Sequence, residues 1–176
     1  MSFPNSVILN GHEIDQKIRR IAFQVYERNA HEKEILIAGI ADTGYEIART
    51  ICAELEKVSP FQRKDHTLTL LKINLNKFSK SQDEADVKVA GETPQSLLNK
   101  SVILIDDVLN TGRTLSYCLT PFLAYPIKKL ETAVLVNRSH TLFPVQITYT
   151  GLELATTLEE HINVVLNEKE RRVYLS

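Results

Sequence analysis

Apolar positions recur along this chain in two rhythms. Ile14, Ile18, Ile21 and Val25 fall at helical spacing, as do Ile47, Ile51 and Leu55. Each set predicts one face of an amphipathic helix lying on a core. Elsewhere the apolar residues form short unbroken runs: Ile35-Leu36-Ile37-Ala38-Gly39-Ile40, Val102-Ile103-Leu104-Ile105 and Ala133-Val134-Leu135-Val136. Such runs, rich in β-branched side chains, suit strands of a parallel sheet covered on both faces. Ser6 to Leu9, Thr67 to Leu75, Gln146 to Thr150, Ile162 to Leu166 and Arg171 to Leu175 read as further strands, the last two as a hairpin across Asn167-Glu168. Strands separated by helices predict an α/β fold with a central, mostly parallel sheet.

Polar residues mark where these elements begin. Asn10 precedes the first helix with Glu13 three positions on, the spacing of a capping box, and Thr43 with Glu46 repeats it before the second. A third helix is expected from about Arg113 to Leu123. Pro60 interrupts the pattern, and the polar, charged stretch from Asn76 to Glu92 reads as a loop.

Composition narrows the class. The 176 residues fit one domain, 43% hydrophobic and 24% charged, with a formal net charge of −1. That balance gives no whole-chain attraction to nucleic acid or to a membrane surface. Arg19, Arg20 and Arg28 lie off the apolar stripe of the first helix, as a solvated face or as a contact for RNA or a partner subunit. The two cysteines, Cys52 and Cys118, fall in helical segments, which suggests buried thiols in a reducing compartment. No apolar run is long enough to span a bilayer and no signal-peptide pattern opens the chain, so the expected location is the cytoplasm.

The chemistry concentrates in Ser101 to Leu115. A buried strand runs out into Asp106 and Asp107, and Asn110-Thr111-Gly112-Arg113-Thr114 then supplies small and hydroxylated residues just before a helix. Ligands of open α/β sheets sit at the carboxyl ends of the strands, and the N–H groups of a helix start attract anions. Two carboxylates beside an anion cradle match a ligand carrying both a sugar diol and a phosphate. Ala41-Asp42-Thr43-Gly44 offers a second strand-to-helix turn of the same kind. Neither a Gly-x4-Gly-Lys-[Ser/Thr] loop nor a Gly-x-Gly-x-x-Gly fingerprint occurs.

Val102 to Thr114 resembles the signature of the type I phosphoribosyltransferases, which use phosphoribosyl pyrophosphate (PRPP). Further strings, Arg20-Ile21-Ala22, Glu27-Arg28-Asn29, Ala133-Val134-Leu135-Val136 and Tyr149 before Gly151, are similar to the PyrR branch, pyrimidine-operon attenuators that are also uracil phosphoribosyltransferases. The resemblance implies a three-layer sandwich forming one domain over 1–176, with a flexible loop at about 76–92 and a small hood at about 137–165 joined by the N-terminal strand. It implies transfer of ribose 5-phosphate from PRPP to uracil, with Mg²⁺ carried in on the pyrophosphate and no metal held by protein ligands alone. Asp106 and Asp107 would hold the ribose hydroxyls and help order the metal. Asn110, Thr111, Gly112, Arg113 and Thr114 would bind the 5-phosphate, and Asp42, Thr43 and Gly44 would form the pyrophosphate loop. Lys77 and Lys80 would reach the pyrophosphate from the flexible loop. Val136, Asn137, Arg138, Tyr149 and Thr150 would receive the base, Tyr149 as a stacking face. A homodimer is implied, and RNA as a partner.

The chain also departs from its relatives' patterns. Purine phosphoribosyltransferases carry an acid where Asn110 stands and a lysine where Asn137 stands, so a pyrimidine is expected. The PyrR pattern has a basic residue at Asp42 and an aspartate at Asn137, and Lys77 and Phe78 stand where its loop has Arg-Asp. Its RNA surface draws on arginines in the segment that here reads Ser139 to Gln146, where Arg138 and His140 alone remain; losing cations weakens RNA affinity. Two readings follow: a uracil-type phosphoribosyltransferase, or a nucleotide-sensing regulator without turnover. An acid at Asp42 repels pyrophosphate, so Asp42→Arg is expected to raise PRPP affinity by calorimetry; an unchanged affinity removes that idea.

Overall fold

The computed structural model describes residues 6–58, 66–75, 97–139, 141–157, 160–167 and 169–176. The stretch expected to form the flexible loop, with Lys77 and Lys80, lies outside them, as does His140. Strand β1 (Ser6–Asn10) leads into helix α1 (Gly11–Asn29), and β2 (Glu34–Ile40) into α2 (Ala41–Lys57). Then come β3 (Thr67–Ile73), β4 (Ser101–Leu109), α3 (Arg113–Leu123), β5 (Lys129–Asn137), β6 (Tyr149–Glu153) and the hairpin β7 (Ile162–Leu166) and β8 (Arg171–Leu175).

Five strands form one sheet in the order β3-β2-β4-β5-β6, every neighbouring pair parallel. Its two faces bury different sides of the same strands. Ile35, Ile37, Ile103 and Ile105 meet Ile14, Ile18 and Val25 of α1 and Ile47, Ile51 and Leu55 of α2. Leu36, Ala38, Val102 and Leu104 meet Leu115, Cys118 and Phe122 of α3. Alternation along a strand covered on both sides produces this division, and the result is the expected three-layer α/β sandwich. Both cysteines are free and buried, and burial pushes each thiol up to about 12. Among the described residues no helix is long and apolar enough to cross a membrane.

The small second sheet is antiparallel, in the order β1-β8-β7, and joins the N-terminal strand to the last hairpin, whose β7 overlaps the end of the 137–165 stretch. Strand β6, expected at Gln146 to Thr150, starts at Tyr149 and belongs to the main sheet. Residues 146–148 turn back on β5 instead: Thr132 Oγ1 donates to the Gln146 carbonyl, and the Thr148 N–H to the Thr132 carbonyl.

The Asn10 capping box forms as read, with Glu13 N–H donating to Asn10 and Asn10 N–H to Glu13. The second box does not. Helix α2 starts directly at Ala41, which takes a left-handed φ of 54°, so Thr43 lies inside the first turn and Glu46 pairs with Arg49 instead.

One polar cluster is buried in the α1 face. Glu131 on β5, 6% exposed, accepts from Asn29 Nδ2 at 3.0 Å and from the Tyr149 hydroxyl at 2.8 Å, and Arg28 reaches its other oxygen at 3.2 Å. Burial alone would raise the Glu131 carboxyl; the Asn29 and Tyr149 donors, with Lys129 and Arg28, hold it below its usual value. Tyr149, 1% exposed, is raised by that burial and by Glu131. It therefore ties β6 to β5 and α1. Tyr149→Phe removes a donor to a buried carboxylate and is expected to cost about 1–3 kcal/mol, read as a lower urea midpoint.

Candidate functional site

All five main-sheet strands finish on the same edge as the starts of α2 and α3, with β4 at the centre. Its alternation sends Val102 and Leu104 toward α3, and Ile103 and Ile105 toward α1 and α2. Asp106 follows on the α3 side, lining the turn before that helix; the alternation breaks beyond it, Val108 packing with the α1 and α2 face and Leu109 with the α3 face. Each carboxylate accepts the next residue's N–H, Asp106 from Asp107 at 3.0 Å and Asp107 from Val108 at 2.7 Å. Burial raises both carboxyls above the usual carboxylate range, and the neighbouring Asp107 adds to the rise at Asp106. A cation or hydroxyl donors arriving beside the pair would favour their ionised form.

Beyond β4 the chain turns into α3 through Gly112, whose φ of 84° suits the residue without a Cβ. A Cβ there would also stand 3.2 Å from the Phe143 carbonyl. The turn encloses about 130 Å³, bounded by Asp106, Val108 to Thr114 and Leu115. Thr111 Oγ1 accepts from the Arg113 N–H at 3.3 Å, and the N–H groups after it, which have no carbonyl one turn back, line an anion-sized hollow beside Asp106. Asn110, Thr111, Gly112, Arg113 and Thr114 are thus brought together as the sequence predicts.

The segment leaving β5 braces this turn. The N–H groups of Leu142 and Phe143 both donate to the Thr111 carbonyl, at 2.8 and 3.1 Å, and the Arg113 guanidinium lies 5.2 Å from the Phe143 ring centre. Arg138, 3% exposed, donates to Asn110 Oδ1 at 2.8 Å, to Thr156 Oγ1 at 2.8 Å and to the Thr157 carbonyl at 3.0 Å. A guanidinium only donates, so the Asn110 oxygen must face it and the Asn110 amide hydrogens must face away. Sequence reasoning missed this brace. The only available signal was an arginine directly after a buried strand.

The second turn comes equally close. Gly44, in the first turn of α2, abuts β4: a Cβ would stand 2.8 Å from the Ile105 carbonyl and 3.3 Å from Asp106 Cα. Asp42, Thr43 and Gly44 therefore begin a helix beside the two acids, and α2 has no side-chain cap. Lys72 of β3, another residue the sequence did not single out, pairs with Asp42 and lies 5.6 Å from the Tyr45 ring centre. The acid expected to repel a ligand is partnered.

The residues expected to receive a base divide. Asn137 and Arg138 lie at the exit of β5, beside Leu109 and Asn110. Val136 is fully buried, its backbone laddered between Val108 and Leu152. Tyr149 is corrected outright: held in the core by Glu131 and Asn29, it offers no stacking face. The Thr150 carbonyl, like that of Gly151, accepts from Arg20 and is not open to read a base edge. Among the described residues no three His, Cys, Asp or Glu side chains cluster to hold a metal. Two carboxylates do suit Mg²⁺ that arrives with phosphate oxygens as its other ligands.

Residues 5–169 match the family model described as a phosphoribosyl transferase domain. The chain is 32% identical over 170 residues to "Bifunctional protein PyrR" of Bacillus pumilus, covering 94% of this chain and 93% of that protein. It is 33% identical over 174 residues to the protein of that name from Deinococcus deserti, covering 97% and 92%. A hypoxanthine-guanine phosphoribosyltransferase from Bacillus anthracis shares the fold with a TM-score of 0.73 at 16% identity, over 97% of each chain. A hypoxanthine phosphoribosyltransferase from Trypanosoma cruzi does so at 0.75 and 12%, over 96% and 93%.

The raised carboxyl at Asp106 carries a consequence for stability. From about pH 4 upward the folded chain keeps a proton that the unfolded chain has released, so this group's contribution to stability falls as pH rises. Asp106→Asn removes that dependence. Relative to the unmodified protein, the variant is expected to gain urea midpoint from about pH 5 to about pH 8; a constant difference would contradict the shift.

Proposed function

The chain belongs to the phosphoribosyl transferase domain family, and from that premise we propose that it transfers ribose 5-phosphate from PRPP to a pyrimidine base, most simply uracil, giving uridine monophosphate and pyrophosphate. The observation that carries this reading is the placement of Asp106 and Asp107 between two helix starts on one sheet edge. PRPP has a matching shape, with a phosphate at one end, a diphosphate at the other and a ribose diol between them.

In this reading the hollow at Asn110 to Thr114 takes the 5-phosphate, Asp106 and Asp107 accept from the ribose hydroxyls, and the start of α2 faces the diphosphate. The metal, bound on the diphosphate, supplies charge neutralisation to the leaving group, and the two carboxylates would hold its outer ligands. The C1–oxygen bond to pyrophosphate breaks as the C1–nitrogen bond forms, and the base loses its N–H proton to solvent. Charge at C1 turns positive in between, and two nearby carboxylates favour it. No covalent nucleophile is needed; the chain contributes position and field.

For the base, the Asn110 amide hydrogens, turned outward by Arg138, suit a carbonyl acceptor such as uracil provides. Neither the acid nor the lysine of the purine pattern is present at Asn110 and Asn137, and the PyrR-named relatives cover nearly the whole chain. The regulator-only reading has less support. Arg19 is engaged with Glu54 and Phe23, Arg20 with the β6 carbonyls and Arg28 with Glu131. The test is a screen of nucleobases with PRPP and Mg²⁺, following pyrophosphate release. Uracil-dependent release is expected, and the absence of release with every base in the screen would remove the proposal.

A further inference from the structure

Asp42 is the residue by which this chain departs most sharply from an anion-binding turn, and the structure gives it a defined neighbour. Its side chain is 93% exposed and sits in the first turn of α2, where the aligned peptide dipoles favour negative charge. No side chain caps that helix. Lys72 reaches Asp42 from β3. The parallel pairing that sets Lys72 beside Gly39 and Ile73 beside Ile40 puts the lysine one residue short of the point where β2 becomes α2. Its stem crosses toward Tyr45, whose ring lies 5.6 Å from the ammonium. One exposed carboxylate therefore serves two positive features at once, the helix start and the lysine.

We propose that Asp42 is an internal stand-in for pyrophosphate: it holds Lys72 over the start of α2 while the site is empty and yields both to the diphosphate of the incoming ligand. This rests on the reading of the site as a phosphoribosyltransferase centre and names its regulation. An exposed ion pair is worth little, whereas hydrogen bonds from an ammonium to a diphosphate are charge-assisted and stronger, so the exchange runs toward the ligand. The reverse exchange helps the product leave, because Asp42 recaptures Lys72 as pyrophosphate departs. The acid then acts through competition for one cation rather than through simple repulsion, and the two mechanisms separate in a double-mutant cycle.

The experiment measures binding of magnesium pyrophosphate to the full chain by calorimetry, with KM for PRPP and for the base in parallel, for the unmodified protein, Asp42→Asn, Lys72→Met and the double variant. Asp42→Asn is expected to tighten pyrophosphate and lower KM for PRPP by about two- to fivefold. Lys72→Met is expected to weaken both by about tenfold or more, with KM for the base little changed. In the Lys72→Met background, Asp42→Asn is expected to do almost nothing. Lys72→Arg, which keeps the charge, should retain most of the affinity and shows that Lys72→Met did not merely damage the fold. Equal tightening by Asp42→Asn in both backgrounds means repulsion alone and overturns the proposal, as does Lys72→Met binding like the unmodified protein. Failure of the parent reading looks different: none of the four proteins binds pyrophosphate saturably, and both proposals fall.

Discussion

Two carboxylates leave a strand whose preceding residues are fully buried, and the protein must keep them at a place where water cannot fully solvate them. That constraint organises the molecule. A buried strand carries the acids to the sheet edge, and each acid is steadied only by the N–H of the residue after it. Nothing else among the described residues neutralises them. The remaining charge deficit is an open demand for hydroxyl donors or a cation, and the two helix starts on either side are complementary demands for anions. A ligand with all three features would satisfy groups that the fold leaves unsatisfied, which is why the site can position a reaction without a nucleophile.

Holding such groups in place requires a rigid frame. The segment after β5 serves as a brace: two amides on the Thr111 carbonyl, an aromatic ring under Arg113, and a buried guanidinium that joins Asn110 to Thr156 and Thr157. On the other flank Gly44 lets α2 come within contact distance of β4. The turn before α3 and the start of α2 are thus anchored by different elements, one by the exit of β5 and one by the sheet itself.

Much of this could be read from the chain. Strand β2 is legible because Glu34 and Asp42 bracket its apolar run, and the Asn10–Glu13 box because both partners are local. The signature turn is legible because its chemistry is contiguous. What sequence could not give was long-range pairing. Lys72 and Asp42 lie thirty residues apart, and Arg138 meets Asn110 across two strands. For Tyr149 the resemblance implied a stacking face for a base, but its partners, Asn29 and Glu131, lie far away in sequence. The Thr43–Glu46 spacing misled because the helix begins three residues earlier than a Thr43 cap requires, at an alanine in a left-handed conformation.

That alanine has a further meaning. Between Ile40, the last residue of β2, and Ala41, the first of α2, there is no connecting loop. A junction with no spare residues cannot change length: one inserted residue would rotate the whole of α2 by about 100° about its axis and swing Gly44 away from the acids. The start of α2 can therefore change its charge without disturbing that contact only by exchanging side chains in place, and Asp42 with Lys72 of β3 is one such pairing.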